Sequence, residues 1–224
     1  MAYTALCDTT FGTSAVALNN STAMTGGMAV VNEPSNRLES YQYIFDRASY
    51  SYSVIAICVG GPIVAYLSGN LALMFYTHVA LGAFWFGLDF FIEYVLAPAM
   101  DDAGPDTASG LIPSLQPNAM VFGEGLTVGT IISGIALADQ LGYLANPSIW
   151  IWGALGIAAI LLVLAFVPMH HYQMEMLMEL ESPEPDGERI QANNKKALRT
   201  LKIMVVLMLA AIVTMTGLRG LIGL

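Results

Sequence analysis

The chain has 224 residues, of which 56% are hydrophobic and only 11% charged, and its mean hydropathy is +0.62. Soluble domains carry about a quarter charged residues, so this composition argues against a soluble protein and predicts an all-α bundle of transmembrane helices. The net charge of −9 argues against nucleic acid as a partner, because phosphate backbones are bound by basic patches.

The first part of the chain differs in composition from the rest. Residues 1–46 are expected to form a polar N-terminal tail rich in Ser, Thr, Asn and Gly, with a short amphipathic helix around "SNRLESYQYIFDRASY". This tail lacks the basic cluster and compact apolar core of a signal peptide. A transmembrane helical domain is expected to follow over residues 47–224.

Five segments meet the requirement of about 20 mostly apolar residues for a helix that crosses a bilayer. They are residues 48–68, 71–97, 118–139, 147–168 and 201–222. The tight turn "SGN" separates the first two spans, and "DDAGPDTASGLIPSLQP" is expected to be a loop before the third. The polar stretch from residue 169 to residue 200 is expected to separate the last two.

The orientation of the spans follows from their basic flanks. Five of the eight Lys and Arg residues lie around the start of the fifth span, and Arg37 and Arg47 precede the first. This bias predicts an integral membrane protein in the cell membrane of a prokaryote, with its N-terminus inside and its C-terminus outside. The glycosylation-type sequence "NNST" at 19–22 points the other way, but such short sequons are common by chance.

Ionisable residues occur inside the predicted spans, where charge is costly and usually faces the interior of the bundle. Four are expected near the inner face: Asp89, Glu93, Glu124 and Lys202. They predict a proton or cation path, a carboxylate metal site, or a buried ion-pair network that only fixes helix register. Asp139 and Arg219 fall at similar depth near the outer face and are expected to pair.

His78 lies near the outer face, roughly 16 Å from Asp89 along the helix axis, so the two are expected to belong to separate sites. One interpretation makes His78 a copper or haem b ligand, with Met215 on the fifth span as a second haem ligand. The other makes it a hydrogen-bonded core histidine. A bis-histidine haem is not expected, because His170 and His171 follow the fourth span at the opposite face.

The segment "PMHHYQMEMLMELE" (168–181) places His170, Met174 and Met178 on one helical face, with His171 beside them. Thioether and imidazole groups suit copper(I), so this face is a candidate metal surface. The alternative is an amphipathic continuation of the fourth helix. Its methionines would then pack against a neighbour, because Met is an adaptable core residue.

The stretch "HVALGAFWFGLDFFIEYVLAPAM" opens with His78, continues through Trp85 and Gly87 and closes near Pro98, and the last span ends in "TMTGLRGLIGL". In these features residues 71–224 resemble the four-helix membrane domain of the copper-resistance protein D (CopD)-like superfamily. The resemblance implies copper handling or a b-type haem environment, with His78 as the residue that carries over. The extra first span and the polar tail depart from that pattern.

No nucleophile–base pair, phosphate-binding Gly-rich loop or zinc-protease motif occurs, so a self-contained enzyme is not expected. The expected function is an integral membrane subunit of a larger complex, with a copper- or redox-linked complex as one version. Such a subunit supports structure or a cofactor site, and its partners are the lipid bilayer and other membrane subunits. The alternatives are a CopD-like copper transporter and a b-haem electron carrier that uses His78.

Overall fold

The computed structural model describes residues 36–220, and this part of the chain is helical without a strand. Its helices are α1 (Arg37–Arg47), α2 (Ser51–Leu67), α3 (Leu71–Ala103), α4 (Pro105–Gln140), α5 (Ile149–Leu180) and α6 (Gly187–Leu218). The predicted all-α polytopic bundle is thereby confirmed. The predicted amphipathic helix is α1, whereas residues 1–35 of the predicted tail lie outside the described residues.

Four of these helices are long and apolar enough to cross a membrane: α3, α5, α6 and the Gly110–Gln140 part of α4. A fifth crossing is obtained when α1 and α2, which are bent by 107° relative to each other, are counted together. A helix satisfies its backbone hydrogen bonds internally, which is what lipid requires of a spanning segment. The chain is therefore an integral membrane protein with four to five spans.

Short polar side chains mark where several helices begin. Asn36 caps α1, Asn70 caps α3 and Asp186 caps α6, each by accepting a hydrogen bond from a backbone N–H in the first turn. Gly69, with a φ of 65°, makes the predicted tight turn between α2 and α3. These caps define the residues at which the helices begin, which the apolar runs alone do not specify.

Two predicted polar connections are largely helical in the structure. The segment expected as a loop before the third span belongs mostly to α4, which begins at Pro105 and contains Pro113 and Pro117. The break falls instead at Gly104, whose φ of 85° ends α3, and proline at the first helical position is well tolerated. Likewise α5 continues to Leu180, so the interpretation of the Met/His segment as a helical continuation is confirmed.

Three helices contain a single π-helical turn: α2 at Ala56–Gly60, α3 at Ile92–Leu96 and α5 at Ala165–Met169. Each turn contains a proline or is followed by one two residues later, at Pro62, Pro98 and Pro168. Proline has no N–H to give to the preceding turn, so the regular hydrogen-bond ladder is interrupted there. Two of these turns adjoin the ionisable residues of the candidate site.

The core of the bundle is formed where α2 and α4 approach closely. An added Cβ on Gly129 would overlap the backbone carbonyl of Cys58, and one on Gly125 would lie 2.6 Å from a methyl of Val54. Small residues allow such backbone contact between membrane helices. The buried residues around this contact include Leu81, Trp85, Leu126, Leu161, Ala165, Met169, Leu201, Met204 and Met208.

Candidate functional site

His170 joins three helices at one end of the bundle. Its Nδ1 lies 2.7 Å from Oε1 of Glu124 on α4, and its Nε2 lies 3.0 Å from the hydroxyl of Ser40 on α1. The ring of Tyr41 packs on the imidazole, with 3.9 Å between the ring centroids. His170 itself is only 4% exposed. Since both ring nitrogens already have partners, this side chain is a hydrogen-bonded link between α1, α4 and α5.

A second polar contact holds the other end of α1. Arg47 makes an ion pair with Glu181, which follows α5, at 2.7 Å, and the hydroxyl of Tyr43 donates to the same carboxylate. Burial, reinforced by the hydrogen bond to Glu181, raises the pKa of Tyr43 to about 12. Tyr43 therefore keeps its proton and remains a donor to Glu181 throughout the neutral range. Helix α1 is thus attached to the bundle at both ends.

A cleft of about 380 Å³ lies beside this network, between α1, α5 and the start of α6. Arg37 and Ser40 line it from α1, while Phe166, His171 and Glu175 line it from α5. Arg189 of α6 also borders the cleft, and it contacts Glu179 at 3.0 Å and Glu175 at 3.6 Å. The cleft is therefore lined in part by charged side chains, and Arg189 bridges its two glutamates.

The methionine face of α5 is part of the packing. Met174 is 6% exposed and forms a small core with Ile44 of α1 and Met120 of α4, with Met178 against it. This is the arrangement expected for methionines that pack on a neighbouring helix. Among the residues from 36 to 220, no group of three or more His, Cys, Asp and Glu side chains is arranged to hold a metal ion. The predicted copper surface at His170, His171, Met174 and Met178 therefore finds no support in the structure.

The remaining residues of the predicted inner cluster lie on α3 and α6. Nζ of Lys202 is 3.1 Å from Oε1 of Glu93, so two members of the predicted cluster are in contact. Asp89 is buried one turn before Glu93 and is 6% exposed. Glu124 binds His170 rather than Lys202, because its rotation about the axis of α4, which depth in the membrane does not specify, turns it towards α5.

His78 belongs to the interface between α3 and α4. Its Nδ1 lies 3.1 Å from the backbone carbonyl of Thr130 and 3.1 Å from the hydroxyl of Ser133. Gly134 packs against the ring, since an added Cβ there would lie 2.9 Å from Cε1. Met215, the expected second ligand, has an exposed side chain on α6. These contacts are those of the core-histidine interpretation.

The ion pair expected between Asp139 and Arg219 is not among those formed within the described residues. Asp139 instead accepts a hydrogen bond of 2.8 Å from the hydroxyl of Tyr66 on α2, and the guanidinium of Arg219 lies 4.6 Å from the ring centroid of Phe75. Both residues lie where their helices end, Asp139 in the last turn of α4 and Arg219 directly after α6. They face different neighbours, and the sequence does not specify which helices are adjacent.

No family model, curated protein or solved structure matches this chain. The CopD-like resemblance therefore remains a prediction that rests on the residues that suggested it.

Sequence analysis did not identify the side chains that contact the predicted site residues. Ser40 and Tyr41 bind His170, Thr130 and Ser133 bind His78, and Tyr66 binds Asp139. One signal was available: Ser40, Ile44 and Arg47 recur at helical spacing on the predicted amphipathic helix, which indicates a face that docks on the bundle.

Proposed function

We propose that this chain is an integral membrane subunit of a larger membrane complex and that it docks against other membrane helices through one face of α3. We define the α3 outward face by residues that share one side of the helix and are exposed: Tyr76, Ala80, Ala83, Phe84, Gly87, Phe91 and Tyr94. This face is the observation that carries the proposal. It combines small and aromatic side chains in the middle of a span.

Gly87 is the most informative residue of the α3 outward face. Among the described residues, no atom would lie within 4 Å of a Cβ added there, so this part of the chain gives no reason for glycine at this position. Glycine in a helix costs about 1 kcal/mol relative to alanine. With Ala83 one turn earlier it forms the small-xxx-small spacing that lets two membrane helices approach closely. A neighbouring helix in a complex explains both residues.

The outward face of α6 provides the contrast. The exposed residues of this face, Val206, Leu209 and Val213, are all aliphatic, and no glycine lies among them. Such a face suits contact with lipid chains. The aromatic residues of α3 are at least as exposed, since Phe84 is 64% and Tyr94 is 54% accessible. The two exposed faces therefore differ in chemistry. This difference supports lipid contact for the α6 face and contact with another protein for the α3 outward face.

The proposed orientation places the His170 end of the bundle inside the cell. Seven of the eight basic residues lie on α1 or in the first part of α6, and the contacts of Arg47 and Arg189 with the end of α5 gather these segments at one end. Basic residues are retained on the cytoplasmic side of membrane proteins. This clustering supports an inside N-terminal region and an outside C-terminal region.

The test is purification of the chain from native membranes in a mild detergent, with quantification of every protein that accompanies it. We expect at least one different membrane protein at a fixed ratio for the unaltered chain and for Gly87→Ala, which keeps the face small. In Gly87→Leu that partner should be lost, because the larger side chain separates the helices. Val206→Leu, on the α6 face, should retain it.

Two outcomes would contradict the proposal. One is the recovery of the chain alone or only with further copies of itself. The other is a partner that Gly87→Leu and Val206→Leu retain equally. Helix content measured by circular dichroism must be the same in all variants, so that a lost partner reflects the face and not misfolding.

A further inference from the structure

The buried carboxyls of α3 are incompletely satisfied. Asp89 and Glu93 are 6% and 7% exposed, and both lie one turn apart on the inward side of the helix. Oδ2 of Asp89 and Oε2 of Glu93 are buried and have no hydrogen-bond partner among residues 36–220. Buried polar atoms are nearly always satisfied, so two such oxygens one helical turn apart point to a bound species.

The charged side chains near these two carboxyls already have partners of their own. Lys202 of α6 binds Glu93 at 3.1 Å. On α4, Glu124 lies at the level of Asp89, since its neighbour Gly123 faces Leu88, but Glu124 binds His170 of α5. Asp89 is in none of the ion pairs formed within residues 36–220. A buried carboxylate without a cation is unfavourable in a membrane interior, and it becomes neutral by binding a proton.

A route to the inner surface follows from the same contacts. Glu93 sits in the π-helical turn of α3, and such turns are frequent at functional sites. Its partner Lys202 is 62% exposed in its side chain and lies at the basic end of the bundle. The three side chains thus form a series from the buried carboxyl of Asp89, through the buried carboxyl of Glu93, to the exposed ammonium of Lys202.

We propose that Asp89 is a proton-binding site within the membrane and that Glu93 and Lys202 connect it to the inner surface. Asp89 takes up one proton as a carboxylic acid and releases the same proton as a carboxylate. No other bond changes in this step. Glu93 and Lys202 are positioning residues that hold the path open to water.

Dicyclohexylcarbodiimide tests the proposal on the intact protein. The O–H of a carboxylic acid adds across a C=N bond of the reagent, and the O-acylisourea rearranges to a stable N-acylurea, whereas a carboxylate does not react. At neutral pH we expect mass spectrometry to find the adduct on Asp89 and several-fold less on Glu93. Asp89→Asn should lose the adduct. Lys202→Met should gain one on Glu93, which then lacks its cation.

Infrared spectroscopy provides a second measurement that needs no reagent to reach the site. We expect the carbonyl-stretch band of a protonated carboxyl group, shifted in D₂O and absent in Asp89→Asn. An exchangeable proton on Asp89 requires both the band and its shift. The absence of a band that Asp89→Asn removes would overturn the proposal, whatever the labelling shows, and Asp89→Glu should restore the band if Asp89→Asn folds poorly.

Discussion

At the scale of single residues, His170 is the side chain on which the contacts between α1, α4 and α5 depend. It contacts Glu124, Ser40 and Tyr41, and these three residues come from α4 and α1. Its burial means that a lost partner cannot be replaced freely by water. Removing one partner of a buried hydrogen-bonded group costs about 1–3 kcal/mol, while exposed ion pairs contribute about 0–1 kcal/mol.

Glu124→Ala is therefore expected to lower the free energy of unfolding by about 1–3 kcal/mol, because it leaves Nδ1 of His170 without its carboxylate. Glu175→Ala is the matched control, since Glu175 meets Arg189 at 3.6 Å with both side chains largely exposed. The measurement is denaturant unfolding in detergent, followed by Trp fluorescence. Equal effects of the two substitutions would show that the His170 contact does not stabilise the bundle.

The sequence predicted the depth of individual residues but not their direction. Glu93 and Lys202 were expected in one cluster with Asp89 and Glu124, and these two do meet. Asp139 and Arg219 were expected at matching depths, yet Asp139 binds Tyr66 and Arg219 lies over Phe75. Depth follows from the bounds of an apolar run, whereas direction depends on helix rotation and on which helices are neighbours.

At the scale of helices, the contact between α2 and α4 depends on backbone proximity. Gly125 and Gly129 recur at a spacing of four, and both lie against the π-helical turn of α2 or the turn before it. Cys58 is buried at this contact and is 1% exposed. A backbone carbonyl cannot move aside as a flexible side chain can, so a methyl group at residue 129 must push the helices apart.

Gly129→Ala is expected to separate α2 from α4 and to expose Cys58. The readout is alkylation of Cys58 by N-ethylmaleimide in a Cys7→Ser background, which leaves one thiol because the chain has two cysteines. We expect faster alkylation in Gly129→Ala and no change in Gly156→Ala, whose added Cβ meets no atom within 4 Å. An unreactive Cys58 in Gly129→Ala would contradict the close approach.

The sequence predicted which segments form helices, but it did not predict where those helices continue beyond the apolar runs. Four of the five expected spans are helices long and apolar enough to cross a membrane, while the first reaches that length only when α2 is counted together with α1. The proline-rich segment before the third span was expected as a loop, but Pro113 and Pro117 lie within α4. Packing against neighbouring helices can offset the tendency of proline to break a helix. The sequence alone does not say where those neighbouring helices lie.

At the scale of the whole molecule, the protein is a membrane bundle whose outward faces differ. The α6 face is aliphatic, while the α3 outward face combines Ala83 and Gly87 with Phe84 and Phe91. Sequence patterns alone could not separate these faces from the core, because all of them are apolar. Only the structure shows that Gly87 points away from the other described helices, and this feature supports the proposed partner helix.

Photo-crosslinking in native membranes tests this central claim most directly. The photoreactive residue p-benzoylphenylalanine is placed at Phe84 of the α3 outward face or at Leu209 of the α6 face, and the membranes are irradiated. We predict a covalent adduct with a different protein from position 84 and only lipid adducts from position 209. Lipid adducts alone at both positions, or an adduct only with a second copy of this chain, would contradict a subunit of a larger complex.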